Sequence, residues 1–248
     1  MDTSKLRPDT GLVWEKIREH PDLHGFVLIG GTALTMHIGH RVSEDLDFAY
    51  PATRLPDRQL QQFLRAAANT GLRLVLNQNP LDVDDAIDAG NQLEHYQQDY
   101  IANNTVKVTF FAPEPELNAA LGFAPAAPLR VATLDELFAS KALVCAERSK
   151  TRDWFDLYTL MTAHGYAMQD VHGVFAKLGI LPKFAIASTR LRKCVPNISD
   201  EGYEQLLTNP PSLQTMREYF NEALDKVEIA LAKSAFGQLA GRSTDTAR

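Results

Sequence analysis

The sequence predicts an α+β protein in which a mixed α/β unit, residues 1–129, precedes a helical unit, residues 130–248. Short apolar or alternating runs that end at glycine or proline recur in the first half, and such runs are typical of strands. The second half has longer segments with apolar residues at helical spacing. A proline-rich connector, residues 112–130, joins the two halves.

In the first unit, strands alternate with helices. The apolar pattern predicts strands over residues 26–29, 45–50, 71–76 and 105–111. It predicts helices over residues 12–20, 32–38 and 59–68. Residues 81–99 carry six acidic side chains and no basic one, so we expect an exposed excursion there.

The second unit is expected to contain helices throughout. Thr133 and Glu136 have the spacing of a capping box, which begins a helix by satisfying its first free amides. A second helix is expected to begin near Arg152, and further helices cover residues 168–178, 201–208 and 212–235.

The composition excludes several classes of protein. Apolar residues make up 45% of the chain and charged residues 23%, which argues against wholesale disorder. A net charge of −6 argues against binding nucleic acid by bulk charge. Only Cys145 and Cys194 are present, too few for a disulfide framework. No apolar run approaches the ~20 residues of a membrane span, and no signal peptide is visible, so we expect a cytoplasmic protein without a membrane partner.

Residues 26–48 offer the clearest candidate site. Gly30 and Gly31 follow an apolar strand, and without a Cβ their backbone amides can approach a phosphate closely. The helix that follows adds the positive end of its dipole, which favours anions. Asp45 and Asp47 are two residues apart, so on a strand both carboxylates share one face. Together they would repel unless a cation such as Mg²⁺ joined them. Alone, either motif could be an ordinary turn or a solvated strand face.

The run GGTALTMHIGHRVSEDLDF resembles the signature of the AbiEii/AbiGii-type toxin nucleotidyltransferases, within the DNA polymerase β-like superfamily. The matched positions are Gly30, Gly31, Thr32, Ala33, His40, Arg41, Ser43, Asp45, Leu46, Asp47 and Phe48. A second resemblance lies in Lys141 and the later block Arg152, Asp153, Asp156 and Leu157. The matched blocks bracket residues 26–160.

This resemblance implies a polymerase β-like nucleotidyltransferase core with a mixed sheet, followed by a helical domain. It implies that Asp45 and Asp47 carry Mg²⁺, and that Lys141 and Asp156 belong to later active-site motifs. It places the nucleotide at Gly30, Gly31, Thr32, Arg41 and Ser43. From the residues alone, a salt bridge between Arg41 and Glu44 is an equal alternative for Arg41.

The second block also allows a purely structural interpretation. Lys141 lies between Leu137 and Cys145 on a largely apolar stripe of its helix, where a lysine needs an anion. That anion could be a phosphate, or it could be Asp153 or Asp156, which share a helix face.

One position departs from the superfamily pattern. A third carboxylate commonly projects from a later strand to complete the metal site. The best candidate strand here, residues 106–111, carries Thr109 instead. This departure puts strict two-metal catalysis in doubt.

We therefore expect a Mg²⁺-dependent enzyme that transfers a nucleoside monophosphate from an NTP, such as ATP, to RNA. By resemblance, tRNA is the acceptor, and the enzyme is a type IV-like toxin with an antitoxin encoded nearby. The alternatives are a small-molecule or protein acceptor, or a non-catalytic nucleotide-binding regulator. Basic residues within 141–193 give a local charge of +5, which indicates either an RNA groove or a solvated face.

Overall fold

The computed structural model describes the backbone of residues 2–245 and the side chains of residues 2–235. The chain divides into two compact units, Met1–Ser140 and Lys141–Arg248. A six-stranded mixed sheet lies in the first unit, and the second is built from helices, which confirms the predicted α+β class. In the described part of the chain, no helix combines the length and apolar character that a membrane crossing requires.

The sheet has the strand order β3-β4-β5-β2-β1-β6. Its strands are β1 Val27–Ile29, β2 Leu46–Ala49, β3 Leu74–Leu76, β4 Gln97–Ala102, β5 Val106–Phe111 and β6 Arg130–Val131. Two neighbouring pairs, β2 with β5 and β1 with β6, are parallel, and the others are antiparallel. The mixed sheet expected from the resemblance is therefore present.

Helices occupy most of the remaining chain. The first unit contains α1 Pro8–Ile17, α2 Gly30–Ile38, α3 Asp57–Asn69, α4 Pro80–Asp88 and α5 Pro115–Leu121. The boundary between the units falls within α6 Leu134–Glu147. The second unit contains α7 Thr151–Ala163, α8 Met168–Lys177, α9 Leu181–Lys193 and α10 Leu213–Asp245.

An aromatic cluster covers one face of the sheet. Phe48 on β2 stacks on Phe110 of β5 with ring centroids 5.2 Å apart, and both side chains are fully buried. Phe63 from α3 and Phe26 meet Phe110 edge-on at 5.6 and 5.5 Å. Because successive side chains of a strand alternate between faces, the neighbours of Phe48 and Phe110 lie on the opposite face. That face carries Asp47 and Thr109.

Several predicted elements need correction. The acidic stretch at residues 81–99 is only partly an exposed excursion: α4 has no buried residue, but β4 begins at Gln97. The expected helix at 201–208 is a loop with a short 3₁₀ turn, Glu204–Leu206. Helix α9 was not among the individual helices predicted for the second unit. It carries a proline in its first turn, a position at which a helix tolerates proline.

Candidate active site

The first turn of α2 and the strand β2 meet at Gly30. Ile29, the last residue of β1, pairs in register with Asp47 of β2. Gly30 follows with a φ of +75°, a conformation that favours glycine, and a Cβ there would lie only 2.6 Å from Asp47 Oδ2. The Asp47 carboxylate therefore rests directly against a glycine at the N-terminus of a helix.

Arg41 lies over the neighbouring glycine. A Cβ on Gly31 would overlap Nη2 of Arg41, so the missing side chain makes room for the guanidinium group. Arg41 is buried, its Nη1 donates to the Val42 carbonyl at 3.2 Å, and its own carbonyl accepts from Thr35 Oγ1 at 3.1 Å. Glu44 pairs with Arg7 at 2.6 Å. The positively charged guanidinium group of Arg41 therefore lies at the first turn of α2.

Thr32 and Ser43 hold the backbone at Asp45. Both are buried, and their hydroxyl oxygens are 2.8 Å apart. Thr32 Oγ1 also donates to the carbonyl of Asp45 in a short hydrogen bond. These contacts tie the segment that enters β2 to the first turn of α2. Thr32 thus contacts Asp45 directly, and Ser43 contacts Thr32.

Asp47 lies on the face opposite the aromatic cluster, and Asp45 immediately precedes β2. Leu46 and Phe48 are fully buried, whereas Asp45 and Asp47 are partly exposed, a pattern typical of side chains that alternate between two faces. Among the residues that the structure describes, no three His, Cys, Asp or Glu side chains form a metal-binding group. The Asp47 carboxylate against Gly30, with Asp45 two residues before it, fits Mg²⁺, which takes few protein ligands and completes its shell with phosphates and water.

Sequence reasoning missed Asp99, which lies on the same face. Thr109, at the position expected for a third carboxylate, pairs in register with Asp47 on one side and with Asp99 on the other. Asp99 is buried, and its Oδ1 accepts a hydrogen bond from Thr109 Oγ1 at 2.7 Å. A signal was present in the sequence: Asn103 and Asn104, both with positive φ, lie in the three-residue turn that joins β4 to β5.

In the helical unit, Lys141 sits between two buried carboxylates. Its Nζ lies 2.8 Å from Asp153 Oδ1 and 2.7 Å from Asp156 Oδ2. Asp153 also accepts from Nε of Arg148 at 2.8 Å. Lys141 therefore forms the structural ion pair that the sequence allowed, and it does so with both Asp153 and Asp156.

The acid sensitivity of the helical unit is predicted to depend on Asp153. Burial raises the pKa of its carboxyl, but Lys141 and Arg148 outweigh burial, so the pKa lies below the ordinary value of 3.8. Because the folded state has the lower pKa, the contribution of Asp153 to stability is full above pH about 4 and is lost as the pH falls through the lowered pKa. In urea unfolding between pH 7 and 3, the free energy of unfolding should therefore fall more steeply below pH about 4 for the wild type than for Asp153→Asn. Equal slopes would contradict the prediction.

Part of the basic run in residues 141–193 is neutralised within the helical unit. Arg152 pairs with Glu201 at 3.1 Å. Arg192 on α9 reaches Asp225 and Glu228 on α10, both at 2.8 Å. These arginines hold secondary-structure elements together, which supports a structural role for part of the run.

Gly30 offers a sharp test of the site's geometry. We expect Gly30→Ala to push the Asp47 carboxylate aside and lower activity by about a hundredfold, as a displacement of about 1 Å can. Gly90→Ala is the matched control, because Gly90 has the same φ of +75° but nothing within 4 Å of a new Cβ. Both variants should lose about 1 kcal/mol of unfolding free energy to backbone strain. Equal activities in a nucleotidyl transfer assay would show that the contact with Asp47 does not matter.

Comparison with known proteins identifies a family and a relative that are similar to this chain. A family model described as the nucleotidyl transferase AbiEii toxin of type IV toxin–antitoxin systems matches residues 13–240. An uncharacterized protein of Aquifex aeolicus (strain VF5) is 25% identical over 186 residues, 70% of this chain and 75% of the relative.

Two solved structures are similar at 15% identity. MenT4, a nucleotidyltransferase toxin of Mycobacterium tuberculosis H37Rv, has a TM-score of 0.50 over 86% of this chain and 82% of its own. JHP933 of Helicobacter pylori has a TM-score of 0.48 over 94% of this chain and 97% of its own. At this identity the likeness to MenT4 supports the fold alone. The family model spans nearly the whole chain and confirms the resemblance seen in the sequence, so this protein belongs to the AbiEii family of nucleotidyltransferase toxins.

Proposed function

We propose that this nucleotidyltransferase moves a nucleoside monophosphate from an NTP to tRNA, with Mg²⁺ bound at Asp45 and Asp47. The observation that carries the proposal is the contact of Asp47 with Gly30 at the N-terminus of α2. It brings carboxylate ligands for a cation next to backbone amides that suit phosphates. Bound Mg²⁺ would neutralise negative charge on the phosphates.

The residues of the chain take separate roles in this proposal. The amides of Gly30, Gly31 and Thr32, with Arg41, bind the phosphates. The hydroxyls of Thr32 and Ser43 hold Asp45 in place. On the sequence resemblance, Lys141 and Asp156 are proposed as further catalytic residues. Because Lys141 is paired with two carboxylates, Asp156 would fix its position.

Catalysis in this proposal comes from positioning and electrostatics. The acceptor hydroxyl attacks the α-phosphorus of the NTP and loses its proton to water. The bond from the α-phosphorus to the bridging oxygen breaks, and pyrophosphate leaves. An aligned acceptor and a stabilised leaving group supply most of the acceleration in phosphoryl transfer of this kind.

The test incubates the purified chain with total tRNA, Mg²⁺ and each NTP labelled at the α-phosphate. We expect label from at least one NTP to enter tRNA, with a matching mass increase in mass spectrometry and none in the presence of EDTA. Label that enters a small molecule or a protein would support the alternative acceptor. NTP binding in calorimetry without pyrophosphate release would support a regulatory protein.

The biological setting is part of the same proposal. The family description names a toxin of a toxin–antitoxin system, and NTPs and tRNA are found in the cytoplasm. We therefore propose a cytoplasmic toxin whose antitoxin is encoded nearby. Growth arrest on expression of the wild type, and its relief by co-expression of the neighbouring gene, would support this setting.

A further inference from the structure

A row of polar residues crosses three neighbouring strands on the face that carries Asp47. Asp47 on β2, Thr109 on β5 and Asp99 on β4 lie directly opposite one another in register. Residues opposite each other on adjacent strands point to the same face. Strands are ~4.8 Å apart, so Asp99 lies about 10 Å from Asp47 along the row, with Thr109 between them.

The Thr109 hydroxyl already uses its proton in a hydrogen bond to Asp99. It donates its one proton to Asp99 Oδ1 at 2.7 Å, and both residues are buried. A hydroxyl has one donor and two acceptor lone pairs. With its proton used in this way, Thr109 Oγ1 can only accept a hydrogen bond from a further partner. In that respect it behaves as a carboxylate oxygen does.

Asp99 is held in place by its neighbours on the same face. Gln97 Nε2 donates to Asp99 Oδ2 at 2.8 Å, and Lys107 Nζ lies 3.8 Å from Oδ1. A buried carboxylate is costly unless hydrogen bonds and a nearby cation compensate it. These contacts provide that compensation. The result is a chain of hydrogen bonds from Gln97 through Asp99 that ends at Thr109, beside Asp47.

We propose that Asp99 is a positioning residue that acts through Thr109 and replaces the third carboxylate of the superfamily. Before the attack, the acceptor hydroxyl donates a hydrogen bond to Thr109 Oγ1, and Asp99 keeps Oγ1 in the state that can accept it. The ligand at this position is an alcohol, such as a ribose hydroxyl. The inference rests on the nucleotidyl transfer proposed above.

The test compares Thr109→Val, Thr109→Ser and the double variant Asp99→Asn/Thr109→Asp. The valine has no hydroxyl, the serine keeps it, and the double variant moves the carboxylate onto β5 itself. Asp85→Asn, on the exposed face of α4, is the matched control. Transfer of α-labelled NTP to total tRNA gives kcat and KM. Calorimetry with Mn²⁺ and a non-hydrolysable NTP analogue reports binding separately, and circular dichroism reports folding.

We expect Thr109→Val to lower kcat at least about tenfold, with KM for the NTP and Mn²⁺–analogue binding within about twofold of the wild type. Thr109→Ser and the double variant should keep most of the activity. A purely structural hydrogen bond would not produce this rescue by a carboxylate on another strand. If Thr109→Val is as active as the wild type, or if it is inactive and both other variants are inactive while folded, the inference is wrong. A wild type that transfers nothing would overturn the proposed function, and the inference with it.

Discussion

Replacing Asp47 by Asn should lower nucleotidyl transfer by on the order of a thousandfold while the chain stays folded. Asp47 is partly exposed on the sheet face opposite the aromatic cluster, and its Oδ2 faces Gly30 at the start of α2. With so few acidic ligands at the site, the loss of one charge leaves too little to hold a divalent cation. Because the side chain is partly exposed, we expect the free energy of unfolding to change by no more than about 1 kcal/mol.

The measurement is transfer of α-labelled NTP, together with Mn²⁺ binding followed by electron paramagnetic resonance. Asp45→Asn should give the same two losses. Glu44→Gln is the matched control. It also replaces a carboxylate by an amide, and Glu44 is adjacent to Asp45 in the sequence but pairs with Arg7. Transfer or Mn²⁺ binding that survives in both aspartate variants would show that the cation is held elsewhere.

Replacing Lys141 by Met should destabilise the helical unit by about 3–5 kcal/mol. Lys141 lies within 2.8 Å of carboxylate oxygens of both Asp153 and Asp156, and all three residues are almost fully buried. Removing the ammonium group leaves two buried negative charges close together. Arg148 also reaches Asp153 and compensates part of the charge of that carboxylate.

Urea unfolding of Lys141→Met and of the double variant Lys141→Met/Asp156→Asn separates the structural role from a catalytic one. The double variant removes both charges of the pair, so we expect it to recover at least about half of the lost stability. If it is stable but does not transfer nucleotides, the pair is needed for catalysis as well. A loss below about 1 kcal/mol in the single variant would contradict the prediction.

The sequence by itself determined the family, the α+β class and the neighbourhood of Gly30 and Asp47. This part of the site is local. A strand, a glycine turn, a short helix and a second strand follow one another within residues 26–48, and the spacing of Asp45 and Asp47 sets their common face. The hydrophobic pattern was strong here because Leu46 and Phe48 alternate with the aspartates. Local patterns of this kind need no knowledge of distant residues.

Only the tertiary structure decided the role of Thr109 and the surroundings of Lys141. In the sequence, Thr109 occupies the position at which a third carboxylate is expected. The polar residues of β4 gave no strand signal, so Asp99 was expected in an exposed segment and not beside Thr109. The register of β4 against β5 brings Asp99 beside it. Likewise, the helix pattern showed that Lys141 needs an anion, but packing of α6 against α7 supplies two. In both cases the deciding contact depends on which elements become neighbours, and burial and strand pairing set this only once the whole unit has folded.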